Sequence, residues 1–389
     1  MPISLKHLSV STVSAGFLSA LVGTASSFTI VVQGLTSMGA SPGQATSGLM
    51  AASLAMGLCA ILLSLRSGLP VSIAWSTPGA AFLASLAAPQ GGFATAVGAF
   101  VVTALLIILA GLWKPLGRAV AAIPTSLASA MLAGVLLPLC LAPFHAIAQY
   151  PFLGLPIFAV WLIVGRFNRL FAVPAAVATA AILIAMQFGD QLEGASLAWS
   201  GLELTRPQFS LPAITGIALP LFIITMASQN ITGIAVLANF GFHPAPGPLF
   251  SWTGLFSLAA APFGSHGVNL AAITAAICAG EESHADPARR YWAAVIAGAI
   301  YIVFGLGAGY AVAFMGIAPP VLIAAVAGLA LLGAMTSSLM GAMARPEDRQ
   351  AALITFLITA SGLTFFGIGG AFWGLLAGGA ILLLERWKT

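Results

Sequence analysis

The chain has 389 residues, 60% of them hydrophobic and 6% charged, with a formal net charge of +4 and a mean hydropathy of +1.06. A composition this apolar excludes an ordinary soluble domain, and basic residues scattered along the chain are not a nucleic-acid signal. At roughly 20 residues per crossing the length allows about a dozen or more spans, so the class is an all-α polytopic membrane protein; the dyad alternation of a β-barrel is missing.

The N-terminal "MPISLKHLSV" leads into an apolar run at 12–36 with no obvious cleavage site, which reads as a first span rather than a removed signal peptide. Further runs lie at 45–65, 92–112, 172–188 and 351–367. Between the second and third of these runs comes "SGLPVSIAWSTPGAAFLAS", residues 67–85. A Gly-Pro break precedes an extended run at 70–75, rich in β-branched and aromatic types. A helix of small residues should follow, with Ser76 or Thr77 as N-cap and Pro78 in its first turn. Near the middle of the chain the polar stretch 189–210 carries Asp190, Glu193, Glu203 and Arg206 and reads as a linker outside the membrane.

Beyond the linker, "MASQNITGIAVLANFG" (226–241) places Gln229 and Asn230 deep in a span. Amides there serve either as hydrogen-bond glue between helices or as ligands for a substrate. "APFGSHGVNL" (261–270) then interrupts the apolar pattern, and a helix from about 268 to 280 should follow. Thirteen residues span about 20 Å, too short for about 30 Å of hydrocarbon. That helix should start near mid-membrane, with Asn269 just inside it, and run towards Glu281 and Glu282 on the cytoplasmic side. Irregular backbone at that depth survives only against protein or a wet cavity. Two half-helices, one at 76 and one at 268, should aim free N–H groups at one another across such a cavity and make an anion site.

The residues that follow from this reading are few. Ser76, Thr77 and Gly79 form one helix tip; His266, Gly267 and Asn269 form the other. His266 reads either as a structural histidine bonded to carbonyls or as a proton carrier near mid-membrane. Trp75 reads as packing or as a stacking surface for an aromatic ligand. Ser26 and Phe28 lie opposite Gln229 and Asn230 if the chain is duplicated. The remaining histidines, His7, His145, His243 and His284, read as loop or tail residues. All nine Asp and Glu fall in loops or at helix ends, which argues against a carboxylate proton relay and a carboxylate-built sodium site. Cys59, Cys140 and Cys278 read as small core residues. No GxxxxGK[ST] loop, HExxH motif or catalytic triad context is present, so neither a cofactor nor a metal is expected and the chain does not read as an enzyme.

A duplication is visible. Residues 25–43 align without gaps to 227–245, and 124–137 to 319–332, at offsets of 202 and 195. With fourteen spans and a cytoplasmic N-terminus, twelve of the thirteen Lys and Arg fall inside, Arg206 alone outside, as the positive-inside rule requires. Both termini are then cytoplasmic. Seven spans per repeat make the halves inverted, a transporter architecture.

The segments "SQNITGIAVLANFG", "LPVSIAWSTPGAAF", "APFGSHGVNLAAITAAICAG" and "EESHADPARRYWAA" together resemble the bacterial benzoate transporter (BenE) family over nearly the whole chain, and more distantly the uracil permease group. The resemblance implies two inverted seven-span repeats, with short strands before half-helices in spans 3 and 10. It implies a core domain of spans 1–4 and 8–11 (1–117 and 212–316) and a gate domain of spans 5–7 and 12–14 (118–211 and 317–389). It also implies a homodimer paired through the gate. The permeases carry a substrate-binding Glu where this chain has Gln229, a His-Ile-Gly run where it has Asn230-Ile231-Thr232, a His at Gly233, and a second Glu at Val268, next to Asn269. Loss of both acids puts nucleobase recognition in doubt and suits a carboxylate. The expectation is a benzoate:proton symporter of the bacterial inner membrane. A nucleobase permease or inorganic-anion exchanger or channel is the alternative, and a non-transporting membrane enzyme or scaffold the more remote one.

Overall fold

The computed structural model describes residues 9–25, 27–113, 115, 124–188, 201–271, 273–365 and 368–387. Of the positions singled out above, Ser26, the boundary at 117/118, Asp190 and Glu193 lie outside the described residues, as do His7, Lys6, Lys114, Arg118 and Lys388.

Helices dominate, because in lipid each backbone polar group must find its partner within the chain. The first apolar run forms α1 (Val10–Ala25) and α2 (Phe28–Ser37), broken around Ser27. α3 (Pro42–Ser67) starts on a capping box in which Ser41 and Gln44 satisfy each other's backbone, and ends at Gly68, whose φ of +68° suits a residue without a Cβ. Then come β1 (Ile73–Trp75), α4 (Thr77–Ala84) and α5 (Gly92–Leu112). α6 (Thr125–Gln149), α7 (Pro151–Phe167) and α8 (Arg169–Phe188) follow. The second half opens with α9 (Leu211–Asn239), which contains two π-helical segments, Ile214–Ala218 and Met226–Asn230. It continues through α10 (Pro246–Ala260), β2 (Val268–Leu270), α11 (Ile273–Ala279), α12 (Tyr291–Leu306) and α13 (Ala308–Ile317). It ends with α14 (Pro320–Met343), α15 (Arg349–Ala360), the short strands β3 (Thr364–Phe365) and β4 (Ile368–Gly369), and α16 (Gly370–Trp387). Among the described residues eight helical stretches are long and apolar enough to cross a membrane, and two shorter apolar helices accompany them.

Two sets of helices pack mainly within themselves. α6 lies along α14 and α15, α7 along α8, and α15 along α16. In the other set, α12 lies along α1 and α3, α10 along α5, and α2 along α4. All three cysteines are buried.

Three expectations change. The half-helix expected at 268–280 begins only at Ile273; residues 268–270 are a strand, and Asn269 is a strand residue. The run at 351–367 is helical only to Ala360, and the chain turns at Gly362 (φ +68°) into the β3–β4 hairpin. His145 is exposed on α6 rather than in a loop. The described part of the central polar stretch is also tied down. Thr205 N–H donates to Pro262 O (2.7 Å) and Gln208 N–H to Ala94 O (2.9 Å). Glu203 N–H donates to Ser47 Oγ (2.8 Å). These bonds strap residues 203–208 across α3, α5 and the turn before β2.

Candidate functional site

β1 and β2 cross antiparallel, with Ile73 opposite Leu270, Ala74 opposite Asn269 and Trp75 opposite Val268. Two three-residue strands leave edges that hydrocarbon cannot satisfy, so neighbouring helices supply the partners. Ser257 Oγ of α10 accepts the Val268 N–H at 2.8 Å. Asn230 Oδ1 of α9 accepts the Leu270 N–H at 3.0 Å, and Ser72 O accepts the Ala271 N–H at 3.0 Å. These contacts explain why 268–270 is extended: the donors of a helix start are already occupied by side chains from other spans. The two helix starts therefore face the crossing from opposite ends of the strand pair. The strand pair lies between them: α4 starts just past the Trp75–Val268 end and α11 just past the Ile73–Leu270 end.

The α4 tip is built as its residue types demand. Ser76 is the N-cap and its Oγ accepts the Gly79 N–H at 3.1 Å. Thr225 of α9 donates to the same oxygen at 2.9 Å. Pro78 brings no N–H, and Ala80 N–H goes to Ser76 O at 2.7 Å. In the first turn the N–H of Thr77, a half-buried residue, has no partner among the described residues. A Cβ on Gly79 would lie 2.6 Å from Leu221 Cδ1 and from Ser76 Oγ, so glycine here lets α9 close on α4.

His266 lies on the other side of Ser76. Its Nε2 is 3.1 Å from Ser76 O. A carbonyl only accepts, so Nε2 carries the hydrogen and Nδ1 is a bare acceptor. That Nδ1 is buried with no partner among the described residues, as is Asn269 Oδ1. Asn269 Nδ2 donates to Leu270 O at 2.9 Å. Gly267 has φ +122°, a conformation closed to residues with a Cβ, and turns the chain from His266 into β2.

α9 meets this crossing through its second π-helical segment. Such segments insert one residue into a helix and are frequent at functional sites. Asn230 is buried and bonds β2, and its Nδ2 contacts Met226 Sδ at 3.1 Å. Gln229 is half-buried, and its amide makes no hydrogen bond among the described residues. The paired amides therefore divide: Asn230 holds the framework and Gln229 is free.

Trp75 is 2% exposed, and its Nε1–H donates to Ser27 Oγ at 2.8 Å. Ser27 Oγ donates in turn to Gly23 O at 2.8 Å. Trp75 and Phe28 both border an apolar cavity between α1, α3, α12 and α13. The expected residues thus fall into two adjoining groups. Ser76, Thr77, Gly79, Gln229, Asn230, His266, Gly267 and Asn269 surround the strand crossing, while Trp75 and Phe28 face the cavity. Ser27, Thr225 and Ser257 were missed by sequence reasoning. Thr225 stands one helical turn before Gln229, and that spacing was the one available signal.

Chemically the crossing is polar and uncharged: no Asp, Glu, Lys or Arg occurs in α4, α9, β1, β2 or α11. Among the described residues no group of three or more His, Cys, Asp or Glu side chains is placed to hold a metal ion.

Residues 6–384 match the model of a family described as benzoate membrane transport protein, BenE. The chain is 41% identical over 372 residues to the inner membrane protein YdcO of Escherichia coli K12, covering 95% of this chain and 94% of that one. It is 33% identical over 375 residues to the benzoate membrane transport protein of Acinetobacter baylyi, again covering 95% and 94%. The fold is shared with the transmembrane domain of a cyanobacterial bicarbonate transporter, BicA (TM-score 0.62, 18% identity, 97% of this chain and 98% of that one). It is shared also with SLC26A9 (TM-score 0.67, 12% identity, 99% of this chain and 66% of that one). A match that runs almost from end to end leaves no room for another assignment: the chain belongs to the BenE family of membrane transporters.

Proposed function

We propose that this transporter moves benzoate together with a proton across the bacterial inner membrane. The observation that carries the reading is the acid-free crossing, where the Gln229 amide and the Thr77 N–H remain available beside a buried histidine. A carboxylate brings its own negative charge; a neutral site with hydrogen-bond donors accepts it, whereas a site with Glu in these places would repel it. Gln229 and Thr77 bind the carboxylate, and Asn230, Ser76 and Gly267 position the frame. His266 takes up the proton at Nδ1 while Nε2 stays on Ser76 O. The name of the Acinetobacter relative supports the choice of benzoate.

Fourteen spans in two inverted halves fit the register of the strands. Ala74 and Asn269 are 195 positions apart, the offset that aligns 124–137 with 319–332, so a twofold axis through the strand pair exchanges the two repeats. Residues 1–117 and 212–316 form the core, and 118–211 and 317–389 the gate against which it moves; both termini are cytoplasmic. Uptake of labelled benzoate into proteoliposomes under an imposed pH gradient tests the proposal, with unlabelled uracil and sulfate as competitors. Labelled benzoate should enter, and neither uracil nor sulfate should compete. No uptake of benzoate, with saturable uptake of labelled uracil or sulfate in the same vesicles, assigns the chain to the nucleobase or inorganic-anion reading instead.

A further inference from the structure

The cavity beside Trp75 has a volume of about 380 Å³. An engineered cavity of about 150 Å³ lined by apolar side chains is enough to hold benzene; this one has the volume for a single-ring acid and is open on the side of Val303 and Tyr310, both largely exposed. Its walls include Leu21, Phe28, Trp75, Phe304 and Ala311. Three of these are aromatic, and aromatic walls favour an aromatic guest by stacked or edge-on contacts. Trp75 is fixed by its bond to Ser27, so its ring is a rigid face. Thr24 also borders the cavity, and its Oγ1 is buried without a partner among the described residues.

We infer that this cavity is the ring-binding subsite of the transporter and sets its selectivity for one-ring aromatic acids over larger ones. The inference rests on the benzoate reading above and adds the residues that recognise the ring. Continuity carries it: Trp75 borders the cavity and is followed directly by Ser76, the N-cap at the strand crossing. A ring against Trp75 and Phe28 leaves its carboxylate at that end. The opposite wall comes from the end of α12 and from α13, so the cavity lies between the two halves of the core, 1–117 and 212–316.

The test is equilibrium binding to the purified, full-length protein in nanodiscs, with benzoate, 4-tert-butylbenzoate and acetate as ligands. Ala311→Phe fills the cavity and should weaken benzoate about tenfold or more while leaving acetate unchanged. Phe304→Ala enlarges it and should raise the affinity for 4-tert-butylbenzoate relative to benzoate about tenfold; this ratio decides the matter if Ala311→Phe fails to fold. Gln229→Ala serves as the control at the strand crossing. If Gln229→Ala loses benzoate but the two cavity variants bind all ligands like the wild type, the cavity is not the ring subsite, though the transport reading stands; a lipid chain recovered from it by mass spectrometry has the same meaning. If the wild-type protein binds no benzoate at all, the parent reading falls and this one with it.

Discussion

His266 Nε2 and the backbone oxygen of Ser76, 190 residues apart in sequence, meet at 3.1 Å and join the two halves of the chain at their crossing. The bond fixes the ring tautomer and leaves Nδ1 as a buried acceptor. His266 is therefore a structural residue, and the proton role proposed for it rests on this unpartnered Nδ1.

His266→Ala should abolish benzoate uptake driven by a pH gradient while leaving benzoate binding measurable. His266→Gln should restore folding yield but not pH-driven uptake, since an amide hydrogen-bonds without titrating. Undiminished pH-driven uptake in either variant refutes the proton role.

The neighbouring amides should separate by measurement. Asn230→Ala removes the acceptor of the Leu270 N–H in a buried setting, which costs about 1–3 kcal/mol. It should lower the thermal unfolding midpoint of the detergent-solubilised protein. Gln229→Ala breaks no bond among the described residues and should leave that midpoint within about the ±0.5 kcal/mol equivalent of a neutral change, yet weaken benzoate binding. An unchanged midpoint for Asn230→Ala would mean that its bond to β2 is not holding the crossing.

Gly79→Val should be more damaging than its small size suggests. Even a Cβ would come within 2.6 Å of Leu221 Cδ1, and over-packing typically costs about 1–3 kcal/mol. Leu221→Ala in the same chain should recover part of the loss. Absence of any rescue would place the strain elsewhere.

Much of this site was legible because its signals are local. The Ser76 cap with Pro78 follows from the residue types at a helix start, and the break at 261–267 follows from Pro262, Gly264 and Gly267. The membrane class followed from composition alone. The start of α11 was not legible, because what holds Val268–Leu270 extended is Ser257 on α10 and Asn230 on α9. The same holds for Ser27, whose role is visible only once Trp75 is folded against it. The π-helical turn at 226–230 leaves no periodic mark, and a cavity lined from α1, α3, α12 and α13 has none either. The free tips were also over-read. Serine at the N-cap satisfies the Gly79 N–H, so the residue type that announces a helix start also reduces its capacity to bind an anion.

The most direct test of the account is proton movement during transport. Proteoliposomes holding the purified protein and a trapped pH indicator should show internal acidification when external benzoate is added at zero membrane potential, at a rate that saturates with benzoate and vanishes in Gln229→Ala. Saturable benzoate entry with no accompanying pH change beyond that of protein-free vesicles would contradict coupled transport through this crossing.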